Sequence, residues 1–396
     1  MKKEQDFIIS FSWIAMIAYF IVVPLFSSNT LATLIWVPTI LLNFIFCIIK
    51  IEKISVKVTT ISGVLVAIML ISMFFADKLF SREHYISMVC LINSFLSISY
   101  FSNATISRKT REFIKHCVVL VALLFTLYSF TNIVYKVTED GVSRMSPYFT
   151  FNLGNANMAG IFLFLIFSIL FIYTFAARTL VKKVGFIALD AYLVYMIYRT
   201  GARSCMIGVI ALVAVGIWYG SKRINKFIIY AATIFPVVFI FLLTKLYNNG
   251  YEDVEILGKS IFTGREVYFQ ECLDSIDTLS KWIFGDFAEK CLNNAHNAAL
   301  AWLLSLGVIG VILIYVIYYD VIFTINDDSN KARMKNVCVA CILCLFVESI
   351  AEATLFLGGF PGIVFVNTMI VLSKESTEAH IERGEFGIEE TRYQQG

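Results

Sequence analysis

Runs of about twenty apolar residues, broken by short polar turns, recur along the whole of the 396-residue chain. A hydrocarbon layer about 30 Å thick needs about 20 helical residues per crossing. The pattern therefore predicts twelve spans: 7–27, 31–49, 58–76, 85–101, 113–135, 157–177, 184–198, 204–220, 227–246, 298–323, 336–352 and 354–372. Most connections only turn the chain around, but residues 136–156 and 247–297 are long, polar and rich in aromatic and Asn residues, as loops with a function often are. Within the second, 263–285 predicts one helix near the membrane surface. Thr263 and Glu266 have capping-box spacing, Phe269, Leu273, Ile276 and Ile283 share a face, and Gly285 ends it. Arg265 falls in the first turn, where the helix dipole disfavours a cation, so its position has another cause.

Lysine and arginine give the bundle its orientation. With the N-terminus in the cytoplasm, 21 of the 32 basic residues fall at the termini and in the loops around 50–57, 108–115, 178–183, 222–226 and 331–335. By the positive-inside rule these segments are cytoplasmic, both termini lie inside, and the two long loops lie outside. The first span, after Lys2 and Lys3, reads as a retained signal anchor. Residues 373–396, with six Glu against three basic residues, read as a solvated cytoplasmic tail.

Composition strengthens this reading. At 59% hydrophobic and 15% charged residues, a water-soluble core could not hide the apolar surface. The expected fold is an all-α, polytopic integral membrane helical bundle over 1–372, with about twelve transmembrane helices and a large extracytoplasmic loop between the ninth and tenth. The net charge of +3 is what the inner loops produce and gives no reason to invoke nucleic acid; the partner that composition requires is the lipid bilayer. Cys338, Cys341 and Cys344 recur every three residues without an interleaved His or acid, a packing pattern more than a metal site. Cys272 and Cys291 share the outer loop and are a candidate disulfide.

Three titratable or cationic side chains fall on the outer side by this topology: Arg203 in YRTGARSCMIG, Arg265 in TGRE and His296 in NNAHNA. A guanidinium presents a fixed fork of donors to phosphate and stays charged, and imidazole takes a proton near neutrality, so the set resembles a phosphate clamp with a base. Each has a plainer reading. Arg199 and Arg203 bracket a tight turn and could anchor it at lipid headgroups, Arg265 could be a solvated loop residue, and His296 could be a neighbour of a helix cap. Asn152, Asn155, Asn157 and Asn297 are suited to sugar hydroxyls and equally to helix caps. Glu348 and Glu352, four apart in the eleventh span, are either functional acids at membrane depth or partners of an arginine. His84 and His116 lie at membrane edges and His380 in the tail. No zinc spacing and no Gly-rich phosphate loop is present, so any phosphate handled is expected outside and lipid-borne.

The ordered segments NLGNANMAG, YRTGARSCMIG, TGREVYFQ and NNAHNAALAWLLSLGVIG resemble the O-antigen polymerase and ligase family, whose polymerases are called Wzy-type. The resemblance in order and spacing covers about residues 150–323, and that in topology nearly the whole chain. Ala202 departs from it, since many relatives carry Ser directly before the arginine. The resemblance implies a membrane glycosyltransferase without cofactor or metal, acting on an oligosaccharide carried by undecaprenyl pyrophosphate. Arg203 and Arg265 would hold the pyrophosphate, His296 would accept the proton of the attacking hydroxyl, and Asn297, Asn155, Asn157, Arg199 and Glu348 would contribute to substrate binding. A polymerase of a capsular or other surface polysaccharide, working beside a flippase or chain-length regulator, is the first expectation. A ligase passing glycan to another lipid or wall acceptor is the second, and a lipid-linked oligosaccharide flippase or transporter the third.

Overall fold

A computed structural model describes residues 2–26, 29–131, 134–137, 143–146, 156–177, 179–219, 223–250, 255–256, 259–260, 265–290, 295–327, 333–350 and 360–373. Each of the twelve apolar runs coincides with a helix: α1 (Lys2–Phe26), α2 (Asn29–Ile49), α3 (Val56–Phe75), α4 (Arg82–Ser102), α5 (Arg108–Thr131), α6 (Ala156–Ala176), α7 (Leu180–Thr200), α8 (Arg203–Tyr219), α9 (Lys226–Asn248), α13 (Ala298–Asp327), α14 (Arg333–Glu348) and α15 (Phe360–Leu372). Among the described residues, six helices are long and apolar enough to cross a membrane. The chain is thus a helical bundle consistent with a membrane protein.

Helix α6 lies at the centre, with 89% of its apolar stretch buried. Its neighbours are α5, α7, α8, α14 and α15. A helix apolar on every side is stable only when enclosed on every side, and the run GIFLFLIFSILFIY is of that kind. Polar pairs tie the other half together. Trp13 donates to Thr368 at 2.9 Å, joining α1 to α15, and Ser97 of α4 accepts from Asn43 of α2 at 3.1 Å and from Asn367 of α15. Such bonds act as interhelical glue where apolar burial alone does not distinguish helix from lipid.

Several boundaries differ from the sequence pattern. Helix α5 ends at Thr131, and Val134–Val137 instead pairs antiparallel, as β1, with β2 (Ser143–Ser146) in the first long loop. Helix α14 stops at Glu348, and Glu352, expected one turn on, lies outside the described residues. The tail beyond Ser373 lies outside them too.

The second long loop holds the short pair β3 (Glu255–Ile256) and β4 (Lys259–Ser260), then α10 (Arg265–Asp274), α11 (Leu279–Phe284) and α12 (Phe287–Lys290). The single surface helix expected over 263–285 is therefore two. The Ser275 hydroxyl donates to the Cys272 carbonyl, and the Thr278 hydroxyl caps a fresh helix by accepting from Lys281 N. Thr263 lies outside the described residues, while Gly285 ends α11 as expected, with φ 73°.

The largest departure is in α13. Gly307 (φ 66°, ψ −172°) breaks its helical backbone. The Trp302 ring lies 5.8 Å from that of Tyr315 and 6.1 Å from that of Tyr318. In a continuous helix, at 1.5 Å per residue, those residues would be about 20 and 24 Å apart along the axis. The chain therefore reverses at Gly307. A first leg, 298–306, folds back against a second, 308–327, so the single helix expected from residue 298 is two antiparallel legs.

The loop secures the apex of this hairpin. Gly285 and Gly307 meet backbone to backbone: a Cβ at Gly307 would fall 2.3 Å from the Ile283 carbonyl oxygen, and one at Gly285 would fall 2.3 Å from Leu306 N. Only glycine fits such an approach at positive φ. Asp286 N donates at 2.9 Å to the Leu304 carbonyl, which the break leaves without its helical partner.

Candidate functional site

The site begins at the buried end of the first leg. Asn297 caps it, its Oδ1 accepting from Leu300 N at 3.0 Å, while its Nδ2 donates to the carbonyls of Pro236 (3.1 Å) and Ile350 (3.0 Å). Ala298 N donates to Ser349 O at 3.2 Å. One amide thus joins the leg to the middle of α9 and to the segment after α14. Pro236 is twelve residues from the end of α9, so the leg starts about 18 Å below that end. His296 accordingly sits recessed within the bundle, below the end of α9.

The backbone of His296 is unusual. Its φ is 49°, a left-handed value that a side-chain-bearing residue adopts only when its surroundings demand it. Here the fixed Asn297 on one side and buried Ala295 on the other impose it. The imidazole packs edge-on against Tyr268, ring centroids 5.8 Å apart. Tyr268 is three residues after Arg265 on α10, so both occupy one helical face. The loop helix thereby brings its arginine to the histidine's side of the site, which gives the unfavoured first-turn position of Arg265 a cause.

Arg203 stands at the corner between α7 and α8. Gly201, left-handed at φ 69°, ends α7, and α8 starts two residues later at Arg203. Ala202 is buried so close to α6 that a Cβ on Gly160 would lie 2.5 Å from its methyl group. Cys205 donates through sulfur to Glu348 Oε1 at 3.7 Å. Glu348, fully buried, is followed by Ser349 and Ile350, whose carbonyls accept from Ala298 N and Asn297 Nδ2 respectively. A continuous line of contacts therefore runs from the Arg203 helix through Cys205, Glu348, Ile350 and Asn297 to His296, Tyr268 and the Arg265 helix.

The remaining candidates separate. Glu348 belongs to this line. Asn157, half-buried, is one turn before Gly160 on α6 and flanks the Arg203 corner; Asn155 and Asn152 lie outside the described residues. Asn297 is wholly buried, and its amide bonds to backbone groups that position the leg. Arg199 donates to the Tyr195 hydroxyl at 2.9 Å beside exposed Tyr195 and Tyr198, the arrangement of an interfacial anchor. Cys272 is buried, and burial pushes its thiol above the ordinary range against a hydrogen bond from Tyr268 that lowers it; Cys291 lies outside the described residues. Cys338, Cys341 and Cys344 are all buried, with Cys341 donating to the Ser168 carbonyl at 3.4 Å.

Two contributors carry no legible signal in the chain. His84, set aside as a membrane-edge residue, donates from Nε2 to the Ala288 carbonyl at 2.6 Å while Nδ1 accepts from Ser81. Lys78 donates to the same carbonyl at 2.8 Å, and Ala288 N donates to Ser72. These bonds fasten α12, and through it the loop, to α3 and α4. Their partners are some 200 residues apart, and one of them is a backbone carbonyl that no side-chain pattern encodes.

Chemically, the assembly offers two permanent guanidinium groups from different helices, an imidazole, and the N-terminus of a short helix directed into the bundle. Helix N-termini attract anions through their exposed N–H groups and dipole. Compared with family models, with curated proteins and with solved structures, the chain matches none.

Proposed function

We propose that this protein polymerises undecaprenyl-pyrophosphate-linked oligosaccharide units into a capsular or other surface polysaccharide on the outer face of the cytoplasmic membrane. In this reading the bundle makes twelve crossings with both termini inside, and the 308–327 leg of α13 is the tenth. The observation that carries it is the recessed His296, held at positive φ at the head of the re-entrant leg and linked by contacts to both arginine-bearing helices.

The acceptor hydroxyl oxygen attacks C1 of the donor's first sugar with inversion. A new C1–O bond forms as the bond from C1 to the diphosphate breaks, and the electron pair leaves with undecaprenyl pyrophosphate. Arg203 and Arg265 offset the charge that grows on the diphosphate, supplying fixed positive charge of the kind a divalent cation gives elsewhere. His296 takes the hydroxyl proton. The donor is already activated, and its lipid remains in the bilayer while the glycan extends into water.

Single Ala substitutions of His296, Arg203 and Arg265, scored on lipid-linked glycans, test this. Loss of a positioned base or of a charge-stabilising donor costs about 10²- to 10⁴-fold in rate. Long chains are expected to vanish and single units to accumulate on the outer leaflet. Accumulation of finished chains points to a ligase, and of units on the cytoplasmic leaflet to a flippase. Normal chain lengths at normal protein levels in all three variants would sink the site.

A further inference from the structure

A second lateral feature lies at the other end of the bundle, where the basic loops gather. Between α3, α9 and the second leg of α13 a cavity of about 410 Å³ opens on the outside of the bundle. Its wall is aromatic. Tyr319 stacks on Phe323 with ring centroids 5.9 Å apart, and Tyr230 meets both edge-on at 5.1 and 5.6 Å. Thr233 holds the Tyr319 hydroxyl at 2.8 Å. Two lysines stand at the rim: Lys57, 3.5 Å from Asp320 Oδ1, and Lys226, whose Nζ is 5.7 Å from the Phe323 ring centroid.

Both lysines are in the first turn of their helices, α3 and α9, where the dipole opposes a cation. Asp320, which faces the cavity, meets Lys57, and Lys226 rests on the ring of Phe323, so the aromatic wall carries two ammonium groups and two helix N-termini against one carboxylate. An anion at this point would relieve the imbalance, and an aromatic, outward-opening wall suits a chain lying in the bilayer. We infer that this cleft binds an anionic phospholipid of the adjoining leaflet, its phosphate between Lys57 and Lys226 and an acyl chain along Tyr319 and Val316. This goes beyond the proposed reaction and shares no residue with it. By the distribution of basic residues, the leaflet is the cytoplasmic one.

Native mass spectrometry of the full-length protein in detergent, with phosphatidylglycerol or phosphatidylcholine added, tests the site. At about fivefold per lysine near an anionic surface, the Lys57→Gln/Lys226→Gln variant should retain phosphatidylglycerol about 30-fold less well, with phosphatidylcholine unchanged. Asp320→Asn, which removes the competing carboxylate, should retain it several-fold better. Retention equal to wild type in the double variant, or weaker retention in Asp320→Asn, overturns the site. Displacement of phosphatidylglycerol by millimolar inorganic phosphate overturns the lipid as occupant. Because the two variants shift in opposite directions, misfolding of the double variant still leaves the Asp320→Asn outcome decisive.

Discussion

Asn297 and His296 are neighbours with opposite duties. Three polar contacts of Asn297 go to backbone groups from three parts of the chain, and its side chain is wholly buried. Asn297→Ala would strand the Pro236 and Ile350 carbonyls' donor and one cap, a loss of about 1–3 kcal/mol. The variant should melt earlier in detergent, and Asn297→Asp, which keeps the cap acceptor but offers no N–H to either carbonyl, should recover at most part of the difference. If Asn297→Ala melts like wild type yet no long glycan forms, Asn297 contacts substrate after all. In the linear chain the two residues look alike, both polar at the start of an apolar run. Burial separates them: one amide is enclosed by α9 and residues 349–350, while the adjacent imidazole is half-buried beside Tyr268.

The helical hairpin within α13 depends on a single reversal. Its sequence, apolar from Ala298 to Ile325 apart from Ser305, Asp320, Thr324 and the tyrosines, carries no proline and no polar interruption at Gly307. Glycine in an apolar helix is common, so the reversal has no unambiguous local signal. What decides it is the loop: Gly285 and Asp286 dock on the apex and accept it in its broken form. Gly307→Ala is expected to force the Ile283 carbonyl away and release the loop helices. Limited proteolysis should then cut within residues 247–297 faster than in wild type, with loss of polymer. Unchanged cleavage rates would show that the apex contact does not hold the loop. The split of the surface helix into α10 and α11 has the same character, since the period of Phe269 and Ile276 continues through a break made by Thr278 capping.

For the whole molecule the consequential claim is sidedness. Lys53, exposed in the short 3-10 turn after α2, and Lys281, in the loop helix α11, fall on opposite faces of the bundle under the proposed orientation. In a background lacking reactive cysteines, Lys281→Cys should react with a membrane-impermeant maleimide in intact cells, and Lys53→Cys only after permeabilisation. Labelling of both from the same side would overturn the twelve-crossing reading.

The existence and order of the helices are local properties. Twenty apolar residues in a row have few other ways to satisfy their backbone in lipid, so the twelve runs were legible without any knowledge of neighbours. The three candidate residues were legible as types, since arginine and histidine are rare among apolar spans. The contacts between the elements that carry them were not. They depend on Gly160 admitting the Ala202 corner, on Cys205 reaching Glu348, on Asn297 spanning two backbones, and on the loop being fastened by His84 and Lys78. Each of these joins residues tens to hundreds of positions apart, through carbonyls or close approaches that no local period records. Hydropathy acts one residue at a time and so can be read along the chain, whereas the depth of His296 and the reversal at Gly307 follow from which surfaces meet.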